Sequence, residues 1–455
     1  MTATNRLIFE TKICMTRKRI IFSSIGLVII FLVMFVLTQL KIGYLPSANK
    51  VHEAIAYENV LRNWTNFRGP GANGHAINAN PPLNWNVEKG TNILWKTVVP
   101  KPGMNSPVVW EGKLFLTGAD ESSRQIYCFD TDTGDLLWKH NADHIPGSPT
   151  ENNLPKVVED SGLAAPTVTT NGRYIAAIFA TGDLVCVNME GKRIWAKNLG
   201  IPDNPYGHAS SLISYENLLF VQYDQKKNSK LFAFELTSGN PVWQVARDAI
   251  SWSSPILVDN NGRMELILTN SEAVDSYNPQ TGQLFWHVKC LSGEVASSAA
   301  YANGIVFVGN EYSTASAIDI SNHSSEPNVL WQWDETLPNA SSLLANEDYL
   351  IIPSSFGIVN CLNIKTGKAF WEKEFDEGFY SSPILVNDRV YIIDSSGVMH
   401  IFKMDEKFEL LGTSEMGERF YATPSFVGDR IYIRGMEHLF CIGQQNKLFL
   451  QGAYK

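Results

Sequence analysis

The chain has 455 residues, 44% of them apolar and 18% charged, enough for a large core or several domains. Its formal net charge of −9 argues against a nucleic-acid partner, which would call for a basic face. Only Arg17-Lys18-Arg19 stands out as a basic block.

That block leads into residues 20–40, IIFSSIGLVIIFLVMFVLTQL, which hold no charge. As a helix this stretch would measure about 31 Å, close to the ~30 Å hydrocarbon core of a bilayer. Arg6, Lys12, Arg17, Lys18 and Arg19 precede it, so the N-terminus is expected on the cytoplasmic side and everything after Lys41 across the membrane. The run is long for a signal peptide and no A-x-A site follows, which predicts an uncleaved transmembrane anchor. No cysteine follows the apolar run, which argues against a lipid attachment. The expected organisation is a cytoplasmic segment over 1–19, an anchor over 20–40, a linker over 41–61, a repeat domain over 62–443 and a tail over 444–455.

The repeat domain announces itself through tryptophan. Trp95, Trp138, Trp195, Trp243, Trp286, Trp331 and Trp371 share one context, with successive gaps of 43, 57, 48, 43, 45 and 40 residues. Leu411 stands 40 residues further on and is expected at the eighth equivalent position. Each unit reads as four short strands; the first runs SPVVW, KLFLTG, QIYCFD, DLLWKH between residues 106 and 140. Units of this size and content form propeller blades. No amphipathic helical stretch lies between strands, which excludes a helical solenoid. Eight first strands are expected near Ser106, Ala165, Ser211, Ser254, Ser298, Ser342, Ser382 and Thr423, a column of small residues. The last unit has three strands, and NILWKTV (92–98) has no blade ahead of it. The fold class predicted is therefore all-β: an eight-bladed β-propeller of four-stranded blades, preceded by an N-terminal transmembrane helix, with residues 92–98 completing the eighth blade and removing the open edge. Third strands carry a second small column, in which Cys128, Cys186, Cys361 and Cys441 occupy equivalent places in different blades. They are expected to be buried free thiols that fill space and are too far apart to pair.

The unit D-x-x-T-G-x-x-x-W resembles the repeat of pyrroloquinoline-quinone (PQQ) dehydrogenase-like propellers. NWTNFRGPGANG (63–74), HIPGSPTE (144–151), SWSSPILV (251–258) and GEVASSAAYANGIVFVGNEY (293–312) resemble the bacterial group of PQQ-binding-like β-propeller repeat proteins, many of them BamB-like. The resemblance implies the propeller fold, a bacterial cell envelope with the anchor in the inner membrane and the propeller on the periplasmic side, and a partner in envelope protein assembly. It also raises a PQQ- and Ca²⁺-dependent alcohol dehydrogenase as an alternative. Such enzymes carry adjacent cysteines near the cofactor, carboxylate and amide ligands to calcium, and an axial Asp base. This sequence has no Cys-Cys pair and no Asp/Glu/Asn cluster of that pattern. No G-x-S-x-G, H-E-x-x-H or P-loop is present either. The expectation is a non-catalytic binding or scaffolding module without cofactor or metal, with a small-ligand sensor as a further alternative.

The candidate binding surface is the channel mouth, two residues ahead of the small column. Met104, Trp252, Tyr380 and Tyr421 present bulk there, whereas Ala209, Ala296 and Ala340 leave one side open. Trp252 is expected beside His208 and Glu294, with Arg419 opposite. Apolar walls with a few polar groups suit a ligand or a partner's extended peptide, and aromatics and arginine often anchor partners.

Overall fold

A computed structural model of the protein describes residues 57–159 and 161–444. Among them no helix is long and apolar enough to cross a membrane. The expected anchor over 20–40, the cytoplasmic segment, most of the linker and all but the first residue of the expected tail lie outside the described residues.

Eight antiparallel sheets follow one another around a closed ring. Blade 1 is typical: Val108–Trp110, Lys113–Ala119, Arg124–Asp130 and Leu136–Asn141 pair in sequence order. Blades 2 to 7 repeat it over residues 169–198, 213–247, 256–289, 300–333, 344–374 and 384–415. Blade 8 takes Ser425–Val427, Arg430–Arg434 and His438–Ile442 from the end of the chain, and Ile93–Val98 from before blade 1 as its outer strand. The expected closure is therefore present, with Trp95 opposite Cys441. Burial follows strand order. The second and third strands of blade 1 are nearly all buried because both faces pack against neighbouring blades, while its outer strand alternates between half-buried and exposed residues.

The tryptophan repeat is an inter-blade latch. Each tryptophan stands opposite the small third-strand residue of its own blade, as in Cys128–Trp138, Cys186–Trp195 and Cys361–Trp371. A bulge at the residue just before it reaims the strand. Its indole N–H then donates to a turn carbonyl of the next blade: Trp95 to Thr131, Trp138 to Met189, Trp195 to Leu236, Trp243 to Pro279, Trp331 to Ile364 and Trp371 to Asp405. In five of these six turns a glycine, preceded by threonine in three, lies against the incoming indole. A Cβ on Gly282 would come within 2.7 Å of the Trp243 ring, at a backbone φ of +73° that glycine adopts freely. Trp286 departs from the pattern and donates to Glu265 of its own blade at 2.7 Å.

Two positions expected from the alignment move. Gly412, not Leu411, stands opposite Ile401, and Leu411 falls in the bulge. A Cβ at Gly412 would collide with the Leu83 carbonyl, so the segment leading into the propeller occupies the space a side chain would need. Trp85 of that segment is buried against blade 7, its indole N–H reaching the Met416 sulfur at 2.9 Å. In blade 2 the small-column position belongs to Thr167, not Ala165. The Ala-Pro dipeptide mimics the Ser-Pro of other blades two residues too early, and only Thr167 has the hydroxyl the position uses. That use is a closed ring: the backbone N–H of Ser106 donates to Thr167 Oγ1, Thr167 to Ser211, and so on through Ser254, Ser298, Ser342, Ser382 and Thr423 back to Ser106, at 2.9–3.2 Å.

One end of the ring is covered by a strap, residues 63–80. Trp64 bridges Val109 of blade 1, Thr65 accepts from Thr170 of blade 2, and Asn73 exchanges two hydrogen bonds with Tyr301 of blade 5. His75–Ala76 adds a parallel fifth strand to blade 7, and Asn80 reaches Gly428 of blade 8. The innermost strands all run toward the strap, so the mouth is the opposite end.

Candidate functional site

Two aromatic groups face the mouth, each built from loops that precede innermost strands. The first lies across blades 3, 4 and 5. The Trp252 backbone N–H donates to Val295 at 2.9 Å, and its indole N–H donates to Asn204 Oδ1 at 2.5 Å. Asn204 is itself fixed by donating to the carbonyls of Asp224 and Ser251. Tyr206 meets the Trp252 ring edge-on, with centroids 4.9 Å apart, and its hydroxyl donates to Glu294 Oε2 at 3.2 Å. Beside this group opens a cleft of about 370 Å³ lined by Pro205, Lys226, Ile250, Trp252, Glu272 and Glu294 among others. Its lining is mixed, with Pro205, Ile250 and Trp252 beside Lys226, Glu272 and Glu294, and Lys226 lies 3.6 Å from Asp203.

The second group joins blades 7 and 8. Tyr380 and Tyr421 meet edge-on at 5.4 Å, and the Arg419 guanidinium lies over the Tyr421 ring at 5.3 Å. Tyr380 is 37% exposed.

The structure thus brings Trp252 together with Glu294, through Tyr206, and Tyr380 together with Tyr421 and Arg419. Met104 is half-buried in blade 1, its N–H bound to the Ala164 carbonyl, and joins neither group. His208 does not flank Trp252. It is buried and stacks on Tyr223 of blade 3 at 5.8 Å, its Nε2 without a partner. Burial alone lowers its pKa to about 4, so the imidazole is neutral at physiological pH. Sequence reasoning missed Tyr206 and Asn204. The Asn-Pro turn in DNPYGH (203–208) was the available signal, because such turns present the side chains that follow them.

The family model described as outer membrane protein assembly factor BamB matches residues 83–261 and 324–434, more than half of the chain. The chain belongs to this family. It is similar to the outer membrane protein assembly factor BamB of Moranella endobia (23% identity over 282 residues, 61% of this chain and 66% of that one). It is also similar to that of Shewanella oneidensis (22% over 300 residues, 64% and 68%). The alignment therefore spans about two thirds of these relatives, just under that share for the first. Among solved structures, BamB from Moraxella catarrhalis aligns over 78% of this chain and 98% of its own with a TM-score of 0.59 at 14% identity. The quinohemoprotein alcohol dehydrogenase of Comamonas testosteroni aligns over 86% and 82% with a TM-score of 0.63 at 10% identity. At such identities the structural likeness is one of fold.

Within this BamB-family propeller, the axis does not fit the calcium ion of the dehydrogenases. A calcium ion takes six to eight oxygens, carboxylates prominent among them. The axial ring offers hydroxyls already accepting backbone N–H groups, and below it stands a buried cation, Arg68, which would repel the metal. The buried acids are engaged elsewhere: Asp183 with Arg124 at 2.9 Å, Asp224 and Asp275 with Arg247 at 2.9 and 2.8 Å, Asp394 with His400 at 2.9 Å. Among the described residues Glu418, Glu437 and His438 cluster closely enough to hold an ion. Both Glu418 oxygens there already accept, Oε1 from the backbone of Glu437 and His438 and Oε2 from the His438 ring at 2.6 Å.

Proposed function

We propose that this propeller is a non-catalytic docking module of the cell envelope that holds an extended segment of a partner in outer-membrane protein assembly. Residues 20–40 anchor it in the inner membrane and place residues 62–443 on the periplasmic side. The observation that carries the reading is the asymmetry of the ring: the strap covers one end, and the other presents two aromatic groups, Trp252 with Tyr206 beside a cleft of mixed apolar and charged lining and Tyr380 with Tyr421. Aromatic side chains that bury much area at little entropic cost are the usual anchors of an interface. Membership of the BamB family and the names of its relatives supply the partner class.

The test is site-directed photocrosslinking in native membranes from positions 252 and 421. The expected adducts are with a component of the outer-membrane assembly machinery, identified by mass spectrometry, and should vanish when the other position is changed to alanine. Trp252→Ala should cost about 2 kcal/mol of stability, roughly half the penalty of a fully buried tryptophan, because the ring is only half-buried. Adducts only with non-envelope proteins, or capture that survives both substitutions, would refute the docking surface. Protease added to spheroplasts should degrade the propeller, and protection would refute the topology.

A further inference from the structure

The axis of the ring concentrates hydrogen-bond donors. Each of the eight ring hydroxyls accepts a backbone N–H from the preceding blade, and none has a protein acceptor for its own proton among the described residues. Accepting an N–H polarises a hydroxyl and strengthens it as a donor. The backbone N–H takes one side of each oxygen and leaves the hydroxyl's own proton free for a further acceptor. The ring residues are almost closed to bulk solvent, Ser211 and Ser254 being the most open at 7% and 8%. Ala209 and Ala296, two residues nearer the mouth, are small and only partly buried.

Arg68 of the strap supplies a second, independent sign. It is fully buried. Its two terminal nitrogens donate to the carbonyls of Ala299, at 3.0 Å, and Leu343. These carbonyls belong to the residues directly after ring members Ser298 and Ser342, so the guanidinium sits one step below the ring, between it and the strap. Its Nε has no partner, and no carboxylate bears on it. Burial lowers its pKa only to about 9, so it keeps its charge at neutral pH. A buried cation without a counter-charge is costly, as neutral carbonyls cancel only part of the lost hydration.

We propose that the floor of the channel is an anion site in which a small monoanion, a halide or a carboxylate, is held by the hydroxyl ring and neutralises Arg68. The site is separate from the aromatic mouth and does not depend on the docking function. Such an ion receives several O–H donors at once and removes the electrostatic penalty of the strap. It thereby couples strap docking to ring closure.

Chloride-35 line broadening with the full-length protein tests it. Excess broadening should saturate with protein and be removed by competing bromide; removal by acetate as well would assign the site to carboxylates, and retention in acetate to halides. Arg68→Met should weaken affinity about tenfold or more, since it deletes the charge. Ser211→Ala with Ser254→Ala should weaken it severalfold, and decides the matter if Arg68→Met lacks a cooperative melting transition. Absence of specific broadening in the wild type, or broadening unchanged in folded variants, would overturn the site.

Discussion

His208 shows how one side chain can look exposed in a sequence and be core in the fold. It precedes an innermost strand as the mouth residues do, yet its ring turns onto Tyr223 and gains no partner for Nε2. The folded pKa of about 4 lies below the ordinary 6.5, so between those values the unfolded chain binds a proton that the folded one refuses. Stability is therefore full above pH 6.5 and falls with pH, by about 3 kcal/mol at pH 4. His208→Phe keeps an aromatic against Tyr223 and has nothing to protonate. Urea midpoints measured from pH 7 to 4 should fall less steeply in this variant, and equal slopes would place His208 in a wetter site. Other residue assignments were legible in part. The Ser/Thr column was visible in the sequence because crowding at an axis excludes bulk. Its hydroxyl chemistry was not, since size alone allowed Ala165 to stand where Thr167 does.

At the scale of strands and turns the repeat was legible because one physical device recurs. A tryptophan needs a flat partner across the blade boundary, and the turn glycine provides it. Two glycines of blade 4 separate the contributions. Gly262 and Gly282 both have positive φ, +82° and +73°, but a Cβ on Gly262 meets nothing within 4 Å while one on Gly282 strikes Trp243. Alanine at either should cost about 1–2 kcal/mol of backbone strain. Gly282→Ala should cost a further ~1–3 kcal/mol by overpacking the latch. Denaturant midpoints will show the difference, and equal losses would mean that the indole contact contributes nothing. The cysteine column follows from the same geometry. Cys128, Cys186, Cys361 and Cys441 are free and fully buried opposite tryptophans, and burial pushes their thiols well above the ordinary range. A thiol reagent without reductant should leave these four unmodified in the folded protein and label all four in urea. A disulfide between any two would contradict the blade register. Blade 7 was the least legible element, because its missing tryptophan is compensated by Leu83 and Trp85, residues more than 300 positions away in the chain.

At the scale of the whole molecule the decisive feature is that the ring is closed by residues from both ends of the propeller. Ile93–Val98 pairs with His438–Ile442, the Thr423 N–H reaches Ser106 at 3.0 Å, and Arg434 of blade 8 donates to Asn105 of blade 1 at 2.7 Å. The orphan strand at 92–98 made closure readable from the sequence. The segment 63–74 stood out in the sequence but its role as a strap did not, since its bonds to six blades, many through Asn63, Asn66, Arg68, Asn73 and His75, join residues distant in the chain. These contacts predict how the chain responds to a cut. A protease site inserted after Pro100, in the exposed link between the closing strand and blade 1, should be cleavable without loss of shape. The N-terminal piece keeps its strand in blade 8 and its strap across the ring, so both pieces should elute as one particle. Cutting turns an intramolecular closure into an association, and the melting temperature should become dependent on protein concentration. Val109→Pro, which removes the backbone N–H that donates to Trp64 at 2.8 Å, should loosen the strap and steepen that dependence. Separation of the pieces under native conditions would show that the link, rather than the shared blade, holds the ring shut.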